Sequence, residues 1–377
     1  MHVNVLPDEV LERVFQAVLP AIKSRLADAK DGLELLSVCQ RWRGVALPMA
    51  YDAVFIKCGT QGKSRENGPE NVDITTSLDL IIGAKCCHLA RELRIDLHFQ
   101  ADPLPGFKAA ISRLREACDE WVGVRKLLIG LHLEKWVPNY RGPLAVDRED
   151  DIGSISSDLA VLLPGVREIC IGGYKQSGAT GELLGRLVGL YSHQLQVLHS
   201  KHALTMPQDR VFNRLRDVSI GGVFPGPCRL TKLSVGGANP PPLDLFTYTG
   251  LTHLSLSMPT SVDDVMSHIR TQPRLVSLEI DNLSLADIQA DFSIPDDVEH
   301  KPVAPLDTQL RELTVHIGDG PEPDELALPM LKYLLLKTPT LRLVTTERMY
   351  QQTLRDYIDE YAQWCPHLAN ITLETRR

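Results

Sequence analysis

Three kinds of residue in this 377-residue chain could do chemistry by type and spacing. Cys86, Cys87 and His88 stand side by side, a thiol and imidazole set of the kind that holds zinc. Neighbouring side chains on a helix diverge, which argues against a shared metal. The eight cysteines are otherwise scattered, with no CxxC pair, and predict free thiols in a reducing compartment, cytoplasmic and/or nuclear. His199, His253 and His316 are too far apart in sequence to predict a metal site. Carboxylate runs at Glu149-Asp150-Asp151 and Asp296-Asp297 sit among loop formers and read as solvated charge rather than a paired acid and base. The glycine pairs Gly172-Gly173, Gly221-Gly222 and Gly236-Gly237 lack the GxGxxG or GxxxxGK[ST] context that cradles phosphate, so they read as tight turns. GxSxG and HExxH are absent, and the sequence predicts neither an enzyme nor a cofactor.

Binding is what remains, and bulk properties narrow it. A formal net charge of −8 argues against general nucleic-acid binding. No apolar run is long enough to span a membrane, and the chain opens on an amphipathic helix rather than a secretory signal. At 44% hydrophobic residues, a large core is possible.

The elements that would carry a binding surface show themselves as a repeat. Its form is apolar, two mostly polar residues, apolar, one residue, apolar. It appears as ARELRI (90–95), VRKLLI (124–129), VREICI (166–171), LQVLHS (195–200), LRDVSI (215–220) and LTKLSV (230–235). It returns as LTHLSL (251–256), LVSLEI (275–280), LRELTV (310–315), LKYLLL (331–336) and LANITL (368–373), with a degenerate first copy in YDAVFI (51–56). The last two apolar positions lie two apart and share one face of a short strand, while the first packs beneath them. One unit cannot bury that face alone, but stacked units can.

Helical stretches fill several gaps between copies. FKAAISRLREACDEW (107–121) puts Phe107, Ile111, Leu114, Cys118 and Trp121 on one side, and Ser261–Asp264 has capping-box spacing. Pro164, Pro273, Pro329 and Pro366 each stand two residues before a repeat and predict helix stops. The spacing between copies is irregular, and 57–74, 137–153 and 286–309 read as long loops.

The N-terminus differs. LPDEVLERVF begins at Leu6, with Pro7 at a helix start and Asp8 and Glu9 in the first turn. Val10, Leu11, Val14, Phe15 and Val18 form a wide apolar stripe. After polar 20–32, Leu35, Leu36, Val38, Cys39 and Trp42 cluster in LELLSVCQRWRGVA. So short a unit cannot fully bury such helices by itself. It leans on the repeats, on a partner, or on both.

LPDEVLERVF followed by LLSVCQRWRGVA resembles an F-box, with a longer segment than usual between its helical halves. The whole chain resembles F-box proteins with irregular leucine-rich repeats. The resemblance implies an α/β protein: a small helical F-box-like domain at 1–50, then a right-handed leucine-rich-repeat solenoid at 51–377, a curved parallel sheet with outer helices. It implies a substrate adaptor of an SCF-type (cullin–RING) ubiquitin ligase. The F-box would dock on the Skp-family linker subunit, and through it a cullin, by Leu6, Pro7, Val10, Leu11, Val14, Phe15, Leu36, Val38 and Trp42. The repeats would hold an unknown protein substrate. The alternative is a repeat scaffold working outside any ligase.

In each repeat the third and fifth residues, and the one just after the motif, point away from the core. The candidate substrate face is therefore Arg94, Lys126, Glu168, His199, Asp217, Lys232, His253, Glu279, Glu312 and Tyr333. It is mixed in sign and poor in the aromatic residues that anchor interfaces.

Overall fold

The computed structural model describes residues 7–23, 40–42, 45, 52–60, 72–76, 78, 87–99, 103–133, 148–173, 178–200, 204, 210–221, 230–236, 248, 250–284, 305–317 and 324–375. The protein is α/β with parallel strand pairing, and its chain divides into two compact units, Met1–Tyr191 and Ser192–Arg377.

The first unit holds α1 (Asp8–Lys23), β1 (Ala53–Thr60), β2 (Val72–Thr76), β3 (Glu92–Phe99), α2 (Leu104–Ala117), β4 (Lys126–Leu133), α3 (Arg148–Leu162), β5 (Glu168–Gly173) and α4 (Gly178–Leu190). Its strands lie in the order β2-β1-β3-β4-β5. All pairs are parallel except β1 with β2.

The second unit runs β6 (Val197–Ser200), β7 (Asp217–Ile220), β8 (Lys232–Gly236), β9 (His253–Ser261), α5 (Val262–Thr271), β10 (Ser277–Ser284), β11 (Glu312–Ile317), α6 (Asp324–Lys337), β12 (Leu343–Thr346), α7 (Arg348–Tyr361) and β13 (Thr372–Thr375). Its strands lie in sequence order, and every pair is parallel.

One backbone device sets the register in both units. The carbonyl at the second position of a repeat accepts two N–H groups from the next copy. Asp52 O takes Arg91 and Glu92, Arg91 O takes Arg125 and Lys126, and Arg125 O takes Arg167 and Glu168. In the second unit Gln196, Arg216, Thr231, Thr252, Val276 and Arg311 do the same for their successors. With register fixed, first, fourth and sixth positions stack in rows. Leu93, Leu127 and Ile169 are buried in one row, and Ile95, Ile129 and Ile171 in the next. Each such side chain contributes about 1.5–3 kcal/mol relative to exposure.

The helices cover these rows. In α2, Phe107, Ala110, Ile111 and Leu114 are buried at helical spacing. The helix ends at Ala117, short of the expected 121. Buried Trp121 folds back so that its Nε1 donates to Leu114 O at 3.2 Å. Ser261 caps α5 as its spacing predicts, its Oγ accepting from Asp264 N at 3.1 Å. Helix α3 starts at Arg148, inside the stretch 137–153 read as loop. Likewise β1 reaches Thr60 and β2 starts at Val72 within 57–74, while 61–71 and 285–304 lie outside the described residues.

Two repeats were misframed. LKYLLL lies inside α6, so Tyr333 is on a helix and not on the sheet face. Leu331, Leu334 and Leu335 at i, i+3 and i+4 fit a helical stripe as well as a strand motif, and all three are buried there. The true copy is LRLVTT at 341–346: Leu341, Val344 and Thr346 are buried, and Arg342 and Leu343 donate to Arg311 O. A threonine in the last apolar position hides this copy from an apolar pattern. Pro329 accordingly sits within α6, and the stop two residues before the repeat is Pro339. At the C-terminus, Pro366–Asn370 forms a 3-10 turn, and Leu373 pairs with Val344. LANITL is therefore out of frame by two residues, since Leu373 fills the fourth position instead of the sixth.

The helical placement of 331–336 predicts that Leu335→Ala costs roughly 2–5 kcal/mol in a urea melt. A solvent-facing strand position would cost within about 0.5 kcal/mol.

Burial lowers the pKa of His268, on α5, against a smaller opposing pull from Asp264. The unfolded chain then binds the proton more readily, so the contribution is complete above the ordinary value of 6.5 and is lost as pH falls below it. His268→Gln should flatten that acid limb in urea midpoints compared between about pH 7.5 and about pH 5.5.

Candidate protein-interaction faces

Helix α1 starts where Pro7 O accepts the N–H groups of Val10 and Leu11, both at 3.1 Å. Positions one apart on a helix face directions about 100° apart, so the two apolar pairs separate. Leu11 and Phe15 turn inward and are each 1% exposed. Phe15 meets the Trp42 ring edge-on at 5.3 Å, and Arg41 Nε donates to Asp8 Oδ1 at 2.8 Å. Val10 and Val14 turn outward, 40% and 45% exposed, beside exposed Pro7. The nine residues that the motif implies for linker docking thus divide. Leu11 and Phe15 are internal, Trp42 is half-buried, Pro7, Val10 and Val14 face outward, and Leu6, Leu36 and Val38 lie outside the described residues.

On the first unit's sheet, side chains pointing away from the core form four rows. Glu92, Lys126 and Glu168 stand in register, and Lys126 Nζ pairs with Glu92 Oε2 at 3.1 Å. The hydrogen bond to Glu92 raises the Lys126 pKa above its ordinary value despite some desolvation. The next row is Phe55, Arg94, Leu128 and Cys170, all half-buried except exposed Arg94. Below it come Lys57, Asp96, Gly130 and Gly172, then Gly59, His98 and His132.

The Asp96 side chain is only 8% exposed. Its Oδ2 accepts from Arg94 Nε at 2.8 Å. Its Oδ1 makes no hydrogen bond, and His132 Nε2 lies 3.7 Å from it. The carboxylate lies over Gly130, where any Cβ would collide with Oδ1. His98 and His132 stack at 4.6 Å with their planes 20° apart.

On the second unit's sheet, His199 Nε2 lies 3.3 Å from Asp217 Oδ1 across β6 and β7. Lys232, His253 and Glu312 are exposed. Ser219, Ser234, Ser255, Glu279 and Thr314 make one half-buried polar row. Ser257 Oγ donates to Asp281 Oδ2 at 2.5 Å, and His316 Nδ1 is 3.3 Å from Glu347 Oε1. His199, His253 and His316 stand on β6, β9 and β11, and among the described residues no group of three ligand-type side chains could share a metal. Nor is any helix among them long and apolar enough to cross a membrane.

A cleft of about 600 Å³ lies between α2 and α3. Lys108–Asp151 at 2.8 Å and Arg115–Asp158 at 2.5 Å bridge it, so its charges satisfy each other. Tyr333 belongs to no sheet face. It is half-buried on α6 with Lys337 Nζ 5.6 Å from its ring centre.

Sequence reasoning missed His98 and His132 because it stopped at the residue just after each repeat. The signal was present: IDLHF and IGLHL continue the alternation for one more buried and outward pair. The sequence matches no protein-family model and no curated protein.

The Asp96 cradle predicts that Gly130→Ala costs about 1–3 kcal/mol in a thermal or urea melt, as the carboxylate is lifted from its place. Gly172→Ala adds a Cβ that meets nothing within 4 Å. It should change stability by no more than about 0.5 kcal/mol.

Proposed function

We propose that this protein is a substrate adaptor of an SCF-type ubiquitin ligase. Its N-terminal helical part docks on a Skp-family linker subunit, and through it a cullin, while a leucine-rich-repeat solenoid presents protein substrates. The observation that carries the reading is α1. Its inner pair, Leu11 and Phe15, anchors the helix, and its outer pair, Val10 and Val14, leaves two β-branched side chains at i and i+4 for a partner's groove. The sequence motif around that pair, LPDEVLERVF with Val38-Cys39 and Arg41-Trp42 following, resembles an F-box. The repeats supply outward polar rows, which suit a surface that holds a partner.

A second reading has its own support. Leu11 and Phe15 are motif residues, yet the chain itself buries them, as in a cap on a repeat scaffold that works without a ligase. The two readings separate in one experiment. The full chain is co-expressed with a Skp-type linker, and the retained linker is quantified. The adaptor reading expects stoichiometric retention, reduced at least about tenfold by Val10→Asp with Val14→Asp, a loss of about 1.4 kcal/mol or more. Both sites are exposed, so the melting curve should not move. A well-folded chain that never retains the linker leaves the scaffold reading standing.

A further inference from the structure

Arg94 is an exposed side chain held at one point by its neighbour Asp96. Its Nε donates to Asp96 Oδ2, and it has no other partner among the described residues. The side chain is 55% exposed while Asp96 is 8% exposed, so a buried carboxylate holds the inner edge of an outward guanidinium. Gly130 leaves the space that this carboxylate occupies. With Nε engaged, Nη1 and Nη2 are left without a hydrogen bond among the described residues, on a side chain that is largely exposed. The edge they form matches a carboxylate through two parallel hydrogen bonds.

The neighbours say what carries that carboxylate. Phe55 and Leu128 flank Arg94 in register on β1 and β4, both half-buried, so the guanidinium sits in an apolar row. Apolar flanks lower the local dielectric and strengthen a charged hydrogen bond. They also receive apolar side chains from the same partner. Glu92, Asp96 and Glu168 stand on this face as well, Lys126 is already paired with Glu92, and exposed Lys57 stands beside Asp96 in the next row. Three carboxylates on one face suit a single incoming negative charge and disfavour a phosphate dianion, which they would repel more strongly.

We propose that Arg94, positioned by Asp96, binds a carboxylate side chain on an extended, otherwise apolar protein segment whose neighbouring side chains lie on Phe55 and Leu128. This rests on the reading of the repeat faces as the substrate side. It adds the class of segment recognised: an acidic residue between apolar ones, without phosphorylation.

The test uses the full chain and a fluorescent peptide pool with glutamate at the centre and randomised leucine, valine, phenylalanine and methionine on both sides. Matched pools carry glutamine or phosphoserine at the centre. Fluorescence anisotropy should show the glutamate pool binding at least tenfold tighter than either matched pool. Arg94→Gln should abolish that preference, and Arg94→Lys should recover only part of it, because an ammonium offers no bidentate edge. An unchanged circular dichroism melt excludes misfolding of the variants. Equal binding of glutamate and glutamine pools overturns the proposal. So does a preference that survives Arg94→Gln, a tighter phosphoserine pool, or no binding by any pool. Linker retention is read separately: a chain that keeps the linker but fails here loses only this inference, and one that binds the glutamate pool but not the linker loses only the ligase reading.

Discussion

The structure depends on one backbone carbonyl per repeat. At the second position of nine described copies, that oxygen accepts two N–H groups from the copy that follows. The acceptor belongs to the main chain, so the side chain there is unconstrained, and Asp52, Arg91, Gln196, Thr231 and Val276 all serve. The bond fixes where each strand begins relative to its neighbour, and nothing between strands needs to have a set length. Loop closure entropy grows slowly with length, so connections as unequal as those flanking α2, α5 and β8 are tolerated. That tolerance is why the spacing between copies is irregular.

Fixed register turns a sequence pattern into surfaces. Rows of fourth and sixth residues close a core in each unit, and rows of third and fifth residues face outward. What a row does then depends on neighbours that are distant in sequence. Glu92 gains a partner because Lys126 stands beside it one strand on. Asp96 can lie flat and grip Arg94 because the residue opposite it is Gly130. His98 and His132 stack because both strands run one alternation longer than the motif. At α1 the same logic works on a helix: a 100° step divides four apolar residues into an anchor and an outward pair.

The failures of sequence reasoning have a common cause. LKYLLL and LRLVTT stand ten residues apart, and the first looks the better strand. Leucines at i, i+3 and i+4 satisfy both a helix and the motif, and only the place of the carbonyl of Arg311 decides between them. Thr346, buried without being apolar, completes the true copy. The same blindness moved the last repeat by two residues, because a 3-10 turn at Pro366–Asn370 is invisible in an apolar pattern.

By itself, the sequence determined that apolar residues recur at strand spacing, that helices lie between many of the strands, and that an amphipathic helix leads the chain. These follow from local periodicity, which any stretch of chain carries with it. Only the tertiary structure decided which of two overlapping periodicities won at 331–346, which face of α1 turned inward, and that Arg94, Asp96, Gly130 and His132 meet. Those outcomes depend on pairing between strands, where the energy lies in hydrogen bonds and buried contacts that no single segment contains.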